Sequence, residues 1–168
     1  MFKYLVLVFF IGINSAFAAD APRLLGEYGD WSAYAYKEGG KNVCYMASSP
    51  KRDEGKYTRR GDIYVVVTHR PADKSFDVVN FVAGYVYKKN SKVVVKIGKE
   101  AFTDFFTDGD KAWTLTEKDD KALVLAMKRG QRMIVDGVSS KGTATKDTYS
   151  LNGFARAYKA ISAKCGKK

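Results

Sequence analysis

Turn signals punctuate this chain almost from end to end, at intervals of roughly ten to twenty residues. They are Lys37-Glu38-Gly39-Gly40, the stretch 50–61, Pro71-Ala72-Asp73-Lys74, Lys88-Lys89-Asn90-Ser91, Asp108-Gly109-Asp110, Lys118-Asp119-Asp120 and Lys128-Arg129-Gly130. Such short intervals favour strands over long helices, so the chain reads as all-β: an antiparallel β-sandwich or barrel-like fold. Apolar and aromatic runs fill the gaps at residues 31–36, 62–68, 76–87, 93–95, 112–116, 123–127 and 133–135. In 62–68, Ile63, Val65 and Val67 alternate with Tyr64, Val66 and Thr68, the period of two that a strand requires. Several runs are apolar on both faces, which marks central strands or strands with a covered outer face. The 11 Tyr, 10 Phe and 2 Trp suit strands. Residues 50–60 (PKRDEGKYTRR) are polar and charged and read as a loop. The period changes only at the end. Phe154, Ala157, Tyr158, Ile161 and Cys165 fall at helical spacing, which predicts one short C-terminal α-helix with Ser150 as its candidate cap.

The start of the chain belongs to targeting. Met1-Phe2-Lys3 is a short basic opening, residues 4–13 are ten apolar residues in a row, and Ala16-Phe17-Ala18 is a small-x-small cleavage site. That pattern predicts a secretory signal peptide over residues 1–18, with residues 19–168 as a single domain. No later apolar run approaches the ~20 residues of a membrane span, so no transmembrane segment is expected after processing. The formal net charge is +11, and loss of Lys3 leaves +10. In an exported protein that charge points to anionic envelope lipid, lipopolysaccharide or a host surface, and no nucleic-acid partner is expected.

Two cysteines, Cys44 and Cys165, in an oxidising compartment favour one disulfide; the alternative is two free thiols. His69 is the only imidazole, in Thr68-His69-Arg70-Pro71 at a strand end. It reads either as a turn residue bonded to backbone or as a general base. No G-x-S-x-G is present, and Pro50 opposes the helical turn that Ser48-Ser49-Pro50-Lys51 would need for S-x-x-K chemistry. One His and a disulfide leave no ligand set for zinc, and Asp104, Asp108 and Asp110 lack the spacing of a calcium loop. Asp108-Gly109 reads instead as a hairpin turn. No phosphate-binding glycine motif occurs, so no cofactor, no metal and no catalytic residue is expected.

Binding remains. Lys88, Lys89 and Lys92 lie in one turn and Lys128, Arg129 and Arg132 in another, and these six are the candidate anion-binding residues if the turns converge. Arg52, Lys56, Arg59 and Arg60 belong to a third basic stretch. Among Tyr34, Tyr36, Tyr64, Tyr85, Tyr87 and Trp113, the candidate aromatic face is Tyr85 with Tyr87.

Several phrases, in order, resemble the invasion-associated locus B family of exported alpha-proteobacterial proteins. They are Gly29-Asp30-Trp31, Cys44-Tyr45, Thr68-His69-Arg70-Pro71, the stretch 106–113 (FTDGDKAW), the stretch 142–154 (GTATKDTYSLNGF) and Cys165. The resemblance spans residues 29–165. It implies an all-β domain in the periplasm or at the outer surface, with Trp31 and Trp113 as core, Asp108-Gly109 as a turn, and residues 147–154 leading into the helix. It supplies no catalytic residues. The leading expectation is a non-enzymatic envelope or surface protein that binds an anionic or glycan-bearing partner and aids host-cell association. The alternatives are an accessory periplasmic protein acting through protein contacts, and a His69-dependent enzyme. The oligomeric state is not legible.

Overall fold

The computed structural model describes residues 20–167, and the leader read at residues 1–18 lies outside them. Two antiparallel sheets dominate. One runs in the order β1 (Arg23–Tyr28), β2 (Trp31–Glu38), β3 (Lys41–Ser48), β5 (Tyr64–Arg70), β6 (Ser75–Val82), β10 (Lys111–Thr114), β9 (Phe105–Asp108). The other runs β4 (Arg52–Gly55), β12 (Ala144–Ser150), β11 (Arg132–Val138), β7 (Val94–Ile97), β8 (Glu100–Phe102). Every neighbouring pair is antiparallel, and neither sheet closes into a barrel. Inward residues of the two sheets meet in one core: Trp31, Met46, Val67 and Phe81 from the first, Val95, Met133, Val135 and Tyr149 from the second. Alternation along β5 is as the sequence reads, with Val65, Val67 and His69 buried and Tyr64, Val66 and Thr68 half-buried on the outward face.

Two helices complete the core, where the sequence predicts one. The C-terminal helix α2 (Phe154–Lys164) lies against β1, β2 and β3, with Phe154, Ala157, Tyr158 and Ile161 buried. Its cap is Gly153, not Ser150. Gly153 sits at φ +90°, and a Cβ there would come 1.6 Å from the Tyr28 carbonyl oxygen, so only glycine fits. The second helix, α1 (Glu117–Arg129), overturns the strand read at residues 123–127. Six apolar residues in a row, 122–127, hide a helical face, because Asp120, Leu123, Val124 and Met127 are buried at i, i+3, i+4 and i+7, with Ala126 buried beside them. Thr116 caps it, its Oγ1 accepting from the Asp119 amide at 3.2 Å. Lys118-Asp119-Asp120 is therefore the first helical turn and not a loop. Acids at its start and Lys128 and Arg129 at its end complement the helix dipole.

Three smaller corrections matter for the site. The polar stretch 50–60 carries the short edge strand β4, which pairs with β12. The β9–β10 hairpin turns at Gly109-Asp110, one residue later than the Asp108-Gly109 pair. The long run 76–87 is not one strand, because β6 stops at Val82 and the chain turns at Gly84, φ +68°. There the backbones of Gly61 and Gly84 touch. The Gly61 amide donates to the Gly84 carbonyl at 2.8 Å, and a Cβ on Gly84 would lie 2.5 Å from the Gly61 oxygen. This crossing sets Arg60 beside Tyr85.

Candidate functional site

Beside that crossing lies a cleft of about 400 Å³, walled by residues 56–60, by Tyr85 and Val86, and by the β11–β12 hairpin turn. Arg60 forms its floor. Its Nε donates to the Ala83 carbonyl at 2.7 Å, and its two terminal nitrogens donate to the Asp147 carboxylate at 2.7 and 2.6 Å. The two side chains are only 3% and 5% exposed. Burial opposes the Arg60 charge, and the Asp147 carboxylate more than restores it. Burial likewise pushes the Asp147 carboxyl up, against the pull of Arg60. The pair is held together by mutual need and not by surplus stability. The Arg60 guanidinium also lies 5.3 Å from the Tyr57 ring centre and 5.0 Å from that of Tyr85, within cation–π reach of both. Tyr57 is steadied by its hydroxyl on Asp53. The Tyr85 hydroxyl meets Thr145 Oγ1 at 2.6 Å, and Gly137 makes room for it: a Cβ there would lie 2.5 Å from the Tyr85 oxygen.

The opposite wall is the turn 139–143. The Ser139 amide donates to the Thr143 carbonyl at 2.9 Å, and Ser139 Oγ accepts from the Thr143 amide at 3.1 Å. Lys56, Arg59 and Lys141 stand exposed at the rim. Among the described residues no ion pair engages any of them. The lining therefore holds four cations and no carboxylate.

The six turn residues named from the sequence do not form one patch. The Lys88 amide donates to the Val138 carbonyl at 2.9 Å, which places Lys88, Lys89 and Lys92 toward the end of β11 that the cleft occupies. Arg132 begins the same strand, about 20 Å away at ~3.3 Å per residue. Lys128 turns aside onto the Tyr158 ring, its Nζ 3.6 Å from the centre. Arg129 and Arg132 line a separate groove with Lys96 and Lys99. Nor do Tyr85 and Tyr87 form one aromatic face. Tyr85 lines the cleft, whereas Tyr87 is buried beneath it at 5.3 Å between ring centres. Tyr34, Tyr36, Tyr64 and Trp113 lie on the outward face of the large sheet, Tyr34 stacked on Tyr45 at 5.0 Å and Trp113 on Phe106 at 5.1 Å. Trp31 is core, packed edge-on against Phe154; Trp113 is only half-buried. The loop cations of the cleft are visible in the sequence, but its other wall, Ser139-Ser140-Lys141-Gly142-Thr143, signals only a polar turn.

His69 sits inside the core, fully buried on β5, and not at an accessible turn. Its Nδ1 accepts from the Asp77 amide at 3.1 Å, so in the neutral ring the proton is on Nε2, which donates to Ser162 Oγ at 3.2 Å. A base for Ser162 would need a lone pair where this ring holds its proton. Burial lowers the His69 pKa to about 4. Beside it, Lys167 and the Tyr158 hydroxyl hold the Asp77 carboxyl below its ordinary range, although burial alone would raise it. Cys44 on β3 is bonded to Cys165, just after α2, across 121 residues.

The family model for invasion associated locus B (IalB) protein matches residues 31–162. The chain belongs to the IalB family. A crystal structure of invasion associated protein B from Bartonella henselae matches the IalB chain described here with a TM-score of 0.56 and 19% identity, covering 88% of this chain and 99% of that one. At that identity the likeness carries the fold: two antiparallel sheets with helices on one core. No curated protein matches the chain. No helix among the described residues is long and apolar enough to cross a membrane.

Proposed function

We propose that this IalB-family protein is exported, loses residues 1–18, and works without catalysis at the envelope or outer surface, where it binds an anionic or glycan-bearing partner and aids association with a host cell. The cleft carries this reading: Lys56, Arg59 and Lys141 stand at one rim with no carboxylate in the lining, the fourth cation, Arg60, being paired with Asp147 beneath. The Cys44–Cys165 bridge supports an oxidising compartment. The Lys88–Lys92 turn, toward the same end of β11, adds charge that steers an anion inward. Binding to lipopolysaccharide vesicles is expected to fall at least about ten-fold between ~0.1 and ~1 M salt, as the Debye length shrinks from about 10 to about 3 Å. Reversing Lys56, Arg59 and Lys141 together should weaken it further at unchanged melting temperature. Salt-independent binding, or none to any anionic surface, favours the accessory reading instead. For that reading the large sheet offers an outward face on which Leu24 and Phe106 are each 48% exposed.

His69→Gln tests the absence of catalysis and the burial of the ring together. Binding and biological activity are expected to be unchanged. Stability is not. Above pH 6.5 neither the folded nor the unfolded chain protonates His69. Between pH 6.5 and about 4 the unfolded chain takes up a proton that the folded one refuses, so stability falls as pH falls. The full loss is about 3 kcal/mol. Urea titrations of His69→Gln across that window should show a flatter slope, while the Asp77 contribution is lost only at lower pH. An unaltered slope, or lost activity in a stable variant, defeats this account.

A further inference from the structure

We infer that the cleft between residues 56–60, Tyr85 and the 139–143 turn is the site for one carboxylate-bearing sugar unit of a glycan, an inference that rests on the anion-binding reading above and gives it a ligand. Four observations converge. The volume, about 400 Å³, suits a small ring-sized ligand and falls within the ~300–1,000 Å³ of small-molecule sites, whereas a bilayer surface needs a flat or protruding face. The floor cation is already neutralised, since Arg60 is spent on Asp147, so the attraction for an anion comes from Lys56, Arg59 and Lys141 at the rim. A ligand with its charge at one edge and an uncharged body matches that division.

The third observation is the polar lining. No Asp, Glu, Asn or Gln faces the cleft, so it lacks the carboxylate and amide oxygens that accept from a neutral sugar's many hydroxyl donors. What it offers are cationic donors and the hydroxyls of Thr58, Ser140 and Thr143, and an acidic sugar supplies the acceptors these need. The fourth is the pair of half-buried rings. Tyr57 and Tyr85, each fixed by a hydroxyl bond and by Arg60, present the apolar surface against which a sugar ring packs. These walls are held before any ligand arrives, which lowers the ordering cost of binding. A bare phosphate or sulfate would draw on the same rim cations but leave the ring faces of Tyr57 and Tyr85 unused, which the sulfate arm of the test measures.

The test is a titration of the ¹⁵N-labelled processed protein with sialyllactose, lactose, the core oligosaccharide freed from lipopolysaccharide, and inorganic sulfate. Sialyllactose and lactose differ by one carboxylated sugar. The core oligosaccharide separates an envelope source from a host source, and binding of either acidic glycan supports the site. Shifts are expected at residues 57–60, 85–86 and 139–143, with the acidic glycan bound at least about ten-fold tighter than lactose or sulfate. Lys141→Glu and Arg59→Glu, both at exposed positions, should each weaken it about ten-fold. Tyr57→Ala should do the same, and Tyr57→Phe, which keeps the ring but loses the hydroxyl bond to Asp53, should weaken it by only about two- to three-fold. If Tyr57→Ala melts early, the two charge reversals decide alone. Equal binding of lactose, sulfate as tight as the glycan, or shifts confined to Lys88–Lys92 or Arg129–Arg132 overturns the inference. If that happens while salt-dependent binding to lipopolysaccharide vesicles persists, the sugar site falls and the broader reading stands. If the vesicles also fail to bind, both fall.

Discussion

Arg60→Met is expected to destabilise the protein by about 3–5 kcal/mol, among the largest effects of any single substitution outside the disulfide. The methionine fills much of the arginine's volume, so the loss is electrostatic. Asp147 would keep a buried carboxylate with no cation beside it, and the Ala83 carbonyl would lose its donor at 2.7 Å. Asp147→Leu should cost about as much for the mirror-image reason, a buried guanidinium without its partner. The double variant Arg60→Met, Asp147→Leu should be clearly more stable than either single one, because apolar replacement of a whole buried pair is often close to neutral. Urea denaturation of the four proteins forms the cycle. Additive losses would show that the two side chains act independently, contrary to the bidentate geometry.

Loss of the bridge ranks beside it. Cys165→Ser, or reduction of the native protein, frees a loop closed across 121 residues. In the chain-entropy account a loop near 100 residues is worth about 4.7 kcal/mol, and measured losses run about 2–5 kcal/mol. At about 2–4 °C per kcal/mol for a chain of this size, the melting temperature should drop on the order of 10 °C. The sheets should survive at low temperature, since α2 still buries Phe154 and Ile161 against them. Thermal unfolding with and without reductant measures the difference, and melting curves that superimpose would show that the bridge contributes nothing.

What the sequence reveals depends on how local the cause is. The alternation in β5 and the helical spacing from Phe154 are properties of neighbouring residues, and both elements form where the pattern places them. Helix α1 is missed because its apolar residues bunch at 123–127 and its acidic first turn mimics a loop; the capping Thr116 is the signal that would have found it. The cleft is half legible. Lys56, Arg59 and Arg60 advertise a basic loop, but nothing local pairs Arg60 with a carboxylate 87 residues away. That contact depends on β4 joining β12 and on two glycine backbones meeting, which only the assembled sheets determine. Likewise Tyr85 and Tyr87 read as equals, yet one lines a cleft and the other lies under it, because the turn at Gly84 re-aims the chain.

The bridge also imposes a schedule. On the export proposed above, a chain that enters the oxidising compartment N-terminal end first exposes Cys44 there while Cys165 is still 121 residues behind. Throughout that interval the thiol waits unpaired on β3, between β2 and β5, which can already zip together around it. Among these 168 residues there is no third cysteine, so no wrong bridge can form within one chain. Before Cys165 arrives, any bridge Cys44 makes is to another molecule, a small thiol, an oxidoreductase or a second copy. Pairing of β2, β3 and β5 covers only the edges of β3, and Cys44 is fully buried in the complete fold, where Cys165 and α2 lie against that strand. The helix that delivers the second thiol is thus also an element that closes over the first.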